Sequence, residues 1–239
     1  MNQIFRIQPH SDCSVSRFRR LVVAIFLAPI AMFSIAASAQ QAVGSGMESL
    51  ESFVKNTKTG RATFTQVVTA PAREGQTAKT KTSTGSFEFL RPNRFKFLYK
   101  KPFEQSIVSD GQTLWLHDLD LNQVTSRKLA QALSGTPAAV IAAAADLKGL
   151  QSEFTLIALP EKNGLQWVQA SPKSKDGQLQ SIGVGLKSTD KGVELAVLEI
   201  LDSFGQRSVM SFSQFEINPA LTPASFEFKQ PQGADVIRQ

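Results

Sequence analysis

Apolar and polar residues alternate through most of the 239-residue chain. A period of two marks strands that bury one face. It predicts strands over 61–69, 80–90, 94–100, 104–109, 113–118 and 121–126, then over 153–159, 164–170, 178–187, 192–202, 206–216 and a short 226–229. Turn signals separate them at Asp110-Gly111, Asn163-Gly164, Asp176-Gly177, Lys191-Gly192 and Gly205. Consecutive strands with tight turns imply an antiparallel meander. A sheet of about eleven strands must curl or close, so the expected fold is mainly β, a barrel or half-barrel. The stretch "APAREGQTAKTKT" at 70–82 is expected to be the main mobile segment, and the Lys- and Thr-rich loop over 70–84 has no assigned role.

The period changes in three places. Ser45 to Glu48 is a capping box ahead of Met47, Leu50, Phe53 and Val54 at helical spacing. "RKLAQAL" at 127–133 is a second helix, closed by Ser134-Gly135. A third opens at Thr136-Pro137 and runs through "AAVIAAAAD". Alanine favours helix but offers little side chain to bury. This third helix suits an element lying over a core rather than anchoring it.

The N-terminus has a different pattern. Arg6, Arg17, Arg19 and Arg20 precede the uncharged run "LVVAIFLAPIAMFSIA", and Ala37-Ser38-Ala39 comes after it. That order is a secretory signal peptide, with cleavage expected between Ala39 and Gln40. The run has sixteen residues and contains Pro29; a spanning helix needs about 20. The expected organisation is a signal peptide over 1–39 and one domain over 40–239. The mature domain is expected to be exported.

Cleavage alters the available chemistry. The only cysteine, Cys13, and one of the two histidines, His10, leave with the leader. The mature chain then has no disulfide, thiol nucleophile or thiolate ligand. Losing four arginines and one aspartate lowers the formal net charge from +6 to +3. Scattered lysines on an exported chain give no reason to expect a nucleic-acid partner. His117 alone cannot build a His-rich metal site. "HDLDLN" at 117–122 lacks the glycine and final glutamate of a calcium loop. No Gly-x-Ser-x-Gly occurs, and "GSG" at 44–46 is not a phosphate loop. Neither a metal, a cofactor nor an enzyme is expected.

The most distinctive stretch is "GSFEFLRPNRFKFLYKKP" at 85–102. Phe87, Phe89, Phe95, Phe97 and Tyr99 fall on one face of two strands joined through 90–94. Periodicity alone fits an ordinary core face. It also fits the wall of a cavity for apolar ligands, since a long half-barrel encloses more volume than its side chains need fill. Arg91, before a proline in the turn, is by itself an ordinary solvated turn residue.

These and other stretches resemble the outer-membrane lipoprotein carrier protein family, LolA. The resemblance is carried by "FTQ" at 64–66, "GSFEFLRPNRFKF" at 85–97 and "VSDGQTLWLHDLDLNQVTSRKL" at 108–129. It continues in "TPAAVI" at 136–141, "SPKSKDGQLQSIGVG" at 171–185, "LDSFGQRSVMSFSQFEIN" at 201–218 and "FEFKQPQGADVI" at 226–237. It implies an unclosed antiparallel β-barrel under a lid of short helices, around a hydrophobic cavity. It implies a monomeric carrier in the Gram-negative periplasm that takes triacylated lipoproteins from an inner-membrane ABC release complex to a receptor lipoprotein on the outer membrane. No cofactor or chemical step is implied.

On that reading the acyl-chain cavity comprises Phe64, Phe87, Phe89, Phe95, Phe97, Tyr99 and Ile107, with Leu50, Phe53, Val140 and Ile141 from the helices. Trp115 joins the set, although Leu114 and Leu116 on the opposite strand face are rivals for the inward positions. Arg91 matches the family arginine that holds the lid shut. Its guanidinium, five donors and no acceptor, suits the unpaired carbonyls at a short helix's C-terminus. Two other classes stay open: a sensing module on the same half-barrel, and a lipid-modifying enzyme.

Overall fold

The computed structural model describes residues 45–239 except 73, 74, 76, 133–140, 142, 143 and 176. The leader, the Ala39–Gln40 junction, Val140 and the opening of the third expected helix lie outside the described residues.

Twelve strands form one sheet: β1 (Thr59–Thr69), β2 (Thr80–Leu90), β3 (Arg94–Lys101), β4 (Gln105–Asp110), β5 (Thr113–Asp118), β6 (Gln123–Lys128), β7 (Phe154–Lys162), β8 (Leu165–Pro172), β9 (Leu179–Thr189), β10 (Gly192–Asp202), β11 (Arg207–Ile217) and β12 (Asp235–Arg238). Their order is β12-β6-β5-β4-β3-β2-β1-β11-β10-β9-β8-β7. β12 and β7 are the two free edges, so the barrel is unclosed. The meander is antiparallel as expected, except that β12 lies parallel to β6.

The last strand departs from the sequence expectation. Residues 226–229 are not a strand: Pro223–Phe226 is a 3-10 helix with proline in its first turn. Phe226 is fully buried on the outer face of β3 and β4. The chain then runs on to β12. The helix expected at 127–133 starts later, because Arg127 and Lys128 continue the pairing of β6 with β5. Only then does α2 (Leu129–Ala132) begin. A helix that periodicity did not predict, α3 (Leu147–Glu153), precedes β7. Asp146 caps it, its Oδ1 accepting from the Gly149 amide at 2.7 Å.

Helix α1 (Ser45–Asn56) packs against β7, β8, β9 and β10, and α3 packs on β7 and α1. Two bulges set which residues of the far wall face inward. Arg61 pairs with Glu216 but Thr63 with Ser213, which leaves two residues of β11, Gln214 and Phe215, opposite Ala62 of β1. Gln214, at φ +53°, is the residue that re-phases the strand. Phe212 and Phe215, three apart, therefore both meet the core. On β10 the shift between Leu195 and Val197 does the same for Leu195 and Leu198.

Two glycines make room for rings. Gly85 stands across from Phe64, and Gly60 across from Phe89. A Cβ on Gly85 would collide with the Leu98 carbonyl and the Phe64 ring; one on Gly60 would collide with the Phe89 ring.

The outer face of the same strands carries a charged row. Glu88 bridges Arg61 and Lys96, each at 2.7 Å. Lys96 Nζ also donates to the Ser225 carbonyl at 3.1 Å and lies 5.9 Å from the centre of the Phe226 ring. Burial raises the Glu88 carboxyl's hold on its proton, but hydrogen bonds from Lys96 and Arg61, with their charges, outweigh it. The pKa ends below the ordinary carboxylate value.

Candidate functional site

The inward face of β1 to β4 is a continuous surface of rings. Phe87 stacks on Phe97 at 4.4 Å and on Phe89 at 5.7 Å. Phe64 meets Phe97 edge-on at 5.9 Å and Tyr99 at 5.0 Å; Phe95 meets Phe97 at 6.2 Å. Cross-strand register explains the contacts: Phe87 faces Phe97, Phe89 faces Phe95, and Phe97 faces Ile107. Offset and edge-on aromatic pairs each contribute about 0.5–1.5 kcal/mol beyond the area they bury.

Against this wall lie side chains from the helices. Leu50 and Phe53 of α1 and Ile141 are fully buried in the same cluster. Phe53 is 6.1 Å from Phe89 and 6.2 Å from Phe215. Eleven residues were expected at this surface besides Trp115. Ten come together here; the eleventh, Val140, lies outside the described residues. Burial pushes the Tyr99 phenol up to about 12, so it keeps its proton.

Trp115 does not belong to the surface. It pairs with Val108, which pairs with Lys96, so all three face outward. Its ring stacks on Phe228 at 5.0 Å, and Leu114 is buried in the core instead. Sequence reasoning also missed Phe212 and Phe215. Phe87 lies 5.5 Å from Phe212, and Phe89 6.5 Å from Phe215. A strict period of two hides this pair, because the bulge at Gln214 falls between them.

Arg91 is buried rather than solvated. Its Nε donates to the Thr57 carbonyl at 2.8 Å, and Nη1 donates to the Ala144 carbonyl at 2.7 Å. The guanidinium carbon sits 4.9 Å from the centre of the Phe53 ring and 5.0 Å from that of Phe89. The backbone N–H of Arg91 donates to the Lys58 carbonyl at 2.9 Å, fixing the turn to the end of α1. One side chain thus joins the β2–β3 turn, the end of α1 and the segment after Ile141. The third nitrogen, Nη2, is buried without a partner among the described residues. Burial pushes the guanidinium down to about 9, which leaves it charged at neutral pH.

The model of the family described as outer membrane lipoprotein carrier protein LolA matches residues 55–229. The chain belongs to the LolA family. An outer-membrane lipoprotein carrier protein of Albidiferax ferrireducens is 66% identical over 209 residues, covering 87% of this chain and 98% of the relative. One of Leptothrix cholodnii is 54% identical over 198 residues, covering 83% and 88%. Among solved structures, an uncharacterized conserved protein from Thermus thermophilus superposes with a TM-score of 0.50 at 15% identity, over 82% of this chain and 99% of that one. The last likeness speaks to the fold alone.

The matched region holds the ring surface of β1 to β4 and Arg91. Among the described residues no cluster of three or more His, Cys, Asp or Glu side chains could hold a metal, and no helix is long and apolar enough to cross a membrane.

Proposed function

We propose that this LolA-family chain is a periplasmic chaperone that carries acylated lipoproteins. The observation that carries the reading is the ring surface, faced by α1 and the Ile141 segment and tied to both by Arg91. Exposing an acyl chain of about 14 methylenes to water costs roughly 10 kcal/mol, at ~0.8 kcal/mol per CH₂. A carrier between two membranes must therefore cover it. A concave aromatic wall, whose own cover can move aside, offers that shelter without a chemical step.

In the closed form Leu50, Phe53 and Ile141 occupy the surface that the acyl chains take. Arg91 stabilises this form by bonding Thr57 and Ala144 together. Cargo competes with those bonds for the wall. The chain is exported by the leader over 1–39 and starts at Gln40. It receives cargo from an inner-membrane ABC release complex and gives it to an outer-membrane receptor lipoprotein.

Native mass spectrometry of the protein isolated from the periplasm tests the reading, together with titration by a synthetic triacylated lipopeptide. The expected result is co-purified lipoprotein and saturable binding. A carrier that is empty in every preparation and shows no binding would overturn it.

A further inference from the structure

The concave face changes character along the strands. On β1, Phe64 is followed by Gln66; on β4, Ile107 is preceded by Gln105. On β2 the inward positions beyond Gly85 are Ser83 and Lys81. These polar residues, with the carboxylates of Glu104, Asp118 and Asp120, line a cavity of about 430 Å³. It lies beside the β3–β4 and β5–β6 turns, at the end of the sheet opposite the β2–β3 turn that carries Arg91. Tyr99 belongs to both regions: its ring touches Phe64 at 5.0 Å, and it lines the cavity.

The donors there are unused. Among the described residues the side chains of Lys81, Ser83, Tyr99 and Gln105 make no hydrogen bond or ion pair. Lys81 Nζ has only the Phe103 ring beside it, at 5.0 Å. Free donors beside carboxylates at the edge of an apolar surface fit a ligand that has carbonyl acceptors and amide N–H groups at one end and hydrocarbon at the other.

We propose that this cavity binds the head of the lipid anchor: the glyceryl diester and N-acylated cysteine from which the acyl chains extend. The proposal rests on the carrier reading and adds to it where the polar part of the cargo sits. That head presents two ester carbonyls, an amide carbonyl and the first peptide carbonyls as acceptors, and amide N–H groups that the carboxylates of the cavity can accept from. Taking the chains into the barrel strips water from those carbonyls, and an unpaired buried acceptor is costly. Lys81, Ser83, Tyr99 and Gln105 replace the lost water while the chains run past Tyr99 onto the rings.

The experiment uses the mature carrier and two probes: a synthetic triacylated cysteinyl lipopeptide, and a pyrene-labelled alkane of matching chain length with no ester or amide. Lys81→Met and Gln105→Leu should each weaken lipopeptide binding about tenfold, the loss of one charge-assisted or well-placed hydrogen bond. Alkane binding should stay within about twofold, the spread of an unperturbed surface substitution. Lys100→Met, at an exposed position outside the cavity, should shift neither probe. Equal losses for both probes, or unchanged lipopeptide binding in both variants, would overturn the head-group site and leave the carrier intact. A wild-type protein that bound neither probe would overturn the carrier reading, and this proposal with it.

Discussion

Arg91→Leu tests the proposed switch separately from the wall. The substitution keeps an apolar stem beside Phe53 and Phe89 and removes the bonds to Thr57 and Ala144. Only the Ala144 bond reaches the segment after Ile141; the Thr57 bond steadies the end of α1. A hydrogen bond to a charged group contributes about 1.5–3 kcal/mol net. Against that stands the buried, unpartnered Nη2, whose removal relieves about 1–3 kcal/mol. Counting the Ala144 bond alone, the closed form should therefore lose at most about 2 kcal/mol, and a loss of roughly 1.4 kcal/mol within that range is a tenfold shift toward the open form.

The assay loads the carrier with a lipoprotein and tracks its transfer to purified receptor over time. The variant should still accept cargo, hold it up to about tenfold more tightly and release it up to about tenfold more slowly. Arg91→Lys should fall between the two, since a point-like ammonium cannot span both carbonyls as the guanidinium fork does. Arg94→Leu, at an outward position of β3, should behave as wild type. Normal transfer by Arg91→Leu, or an equal defect from Arg94→Leu, would remove Arg91 from the mechanism.

Gly85→Ala should cost about 1–3 kcal/mol of stability by forcing the new methyl into the Leu98 carbonyl and the Phe64 ring, read as a lower denaturant midpoint; an unchanged midpoint would refute the close approach. Glu88 has a depressed folded pKa, so its contribution is full above the ordinary value of 4.5 and is lost as the pH falls through the folded value. Glu88→Gln should flatten that acid limb of the melting-temperature profile, and an unaltered limb would place the acid sensitivity elsewhere. The intact mass of the periplasmic protein should correspond to a chain beginning at Gln40; an uncleaved product would remove the export reading.

The ring surface was legible in the sequence because period two is strict over β2 and β3. Phe87, Phe89, Phe95, Phe97 and Tyr99 needed only parity and one hairpin. Legibility fails where the period breaks. The extra residue at Gln214 moves Phe215 inward, and no rule on spacing announces a bulge. Trp115 was misplaced because β5 is amphipathic in both phases: Leu114 and Leu116 are as apolar as Trp115. Parity on β5 is decided by its register with β4, a tertiary fact. The packing of Trp115 against Phe228 came from the C-terminal segment, whose fold hangs on proline at the start of a 3-10 turn. For Arg91 the residues alone suggested a solvated turn, and only the resemblance pointed inward. Its partners are backbone carbonyls, which leave no side-chain signature at either end.

The closed interior is filled by the protein's own side chains, and this sets a threshold for cargo. Withdrawing Leu50, Phe53 and Ile141 from the rings forfeits about 1.5–3 kcal/mol each, or roughly 5–9 kcal/mol together. The Arg91 bond to Ala144 adds about 1.5–3 kcal/mol. One acyl chain regains roughly 10 kcal/mol when covered. A single chain therefore only offsets opening, and net affinity begins with the second. Monoacylated lipopeptide should bind at least a hundredfold more weakly than the triacylated form, since about 2.8 kcal/mol of the added burial suffices for that ratio. Calorimetric titration of the two peptides against the mature carrier measures the difference. Comparable affinities would mean that α1 and the Ile141 segment do not leave the rings when cargo binds, and that the chains lie elsewhere on the sheet.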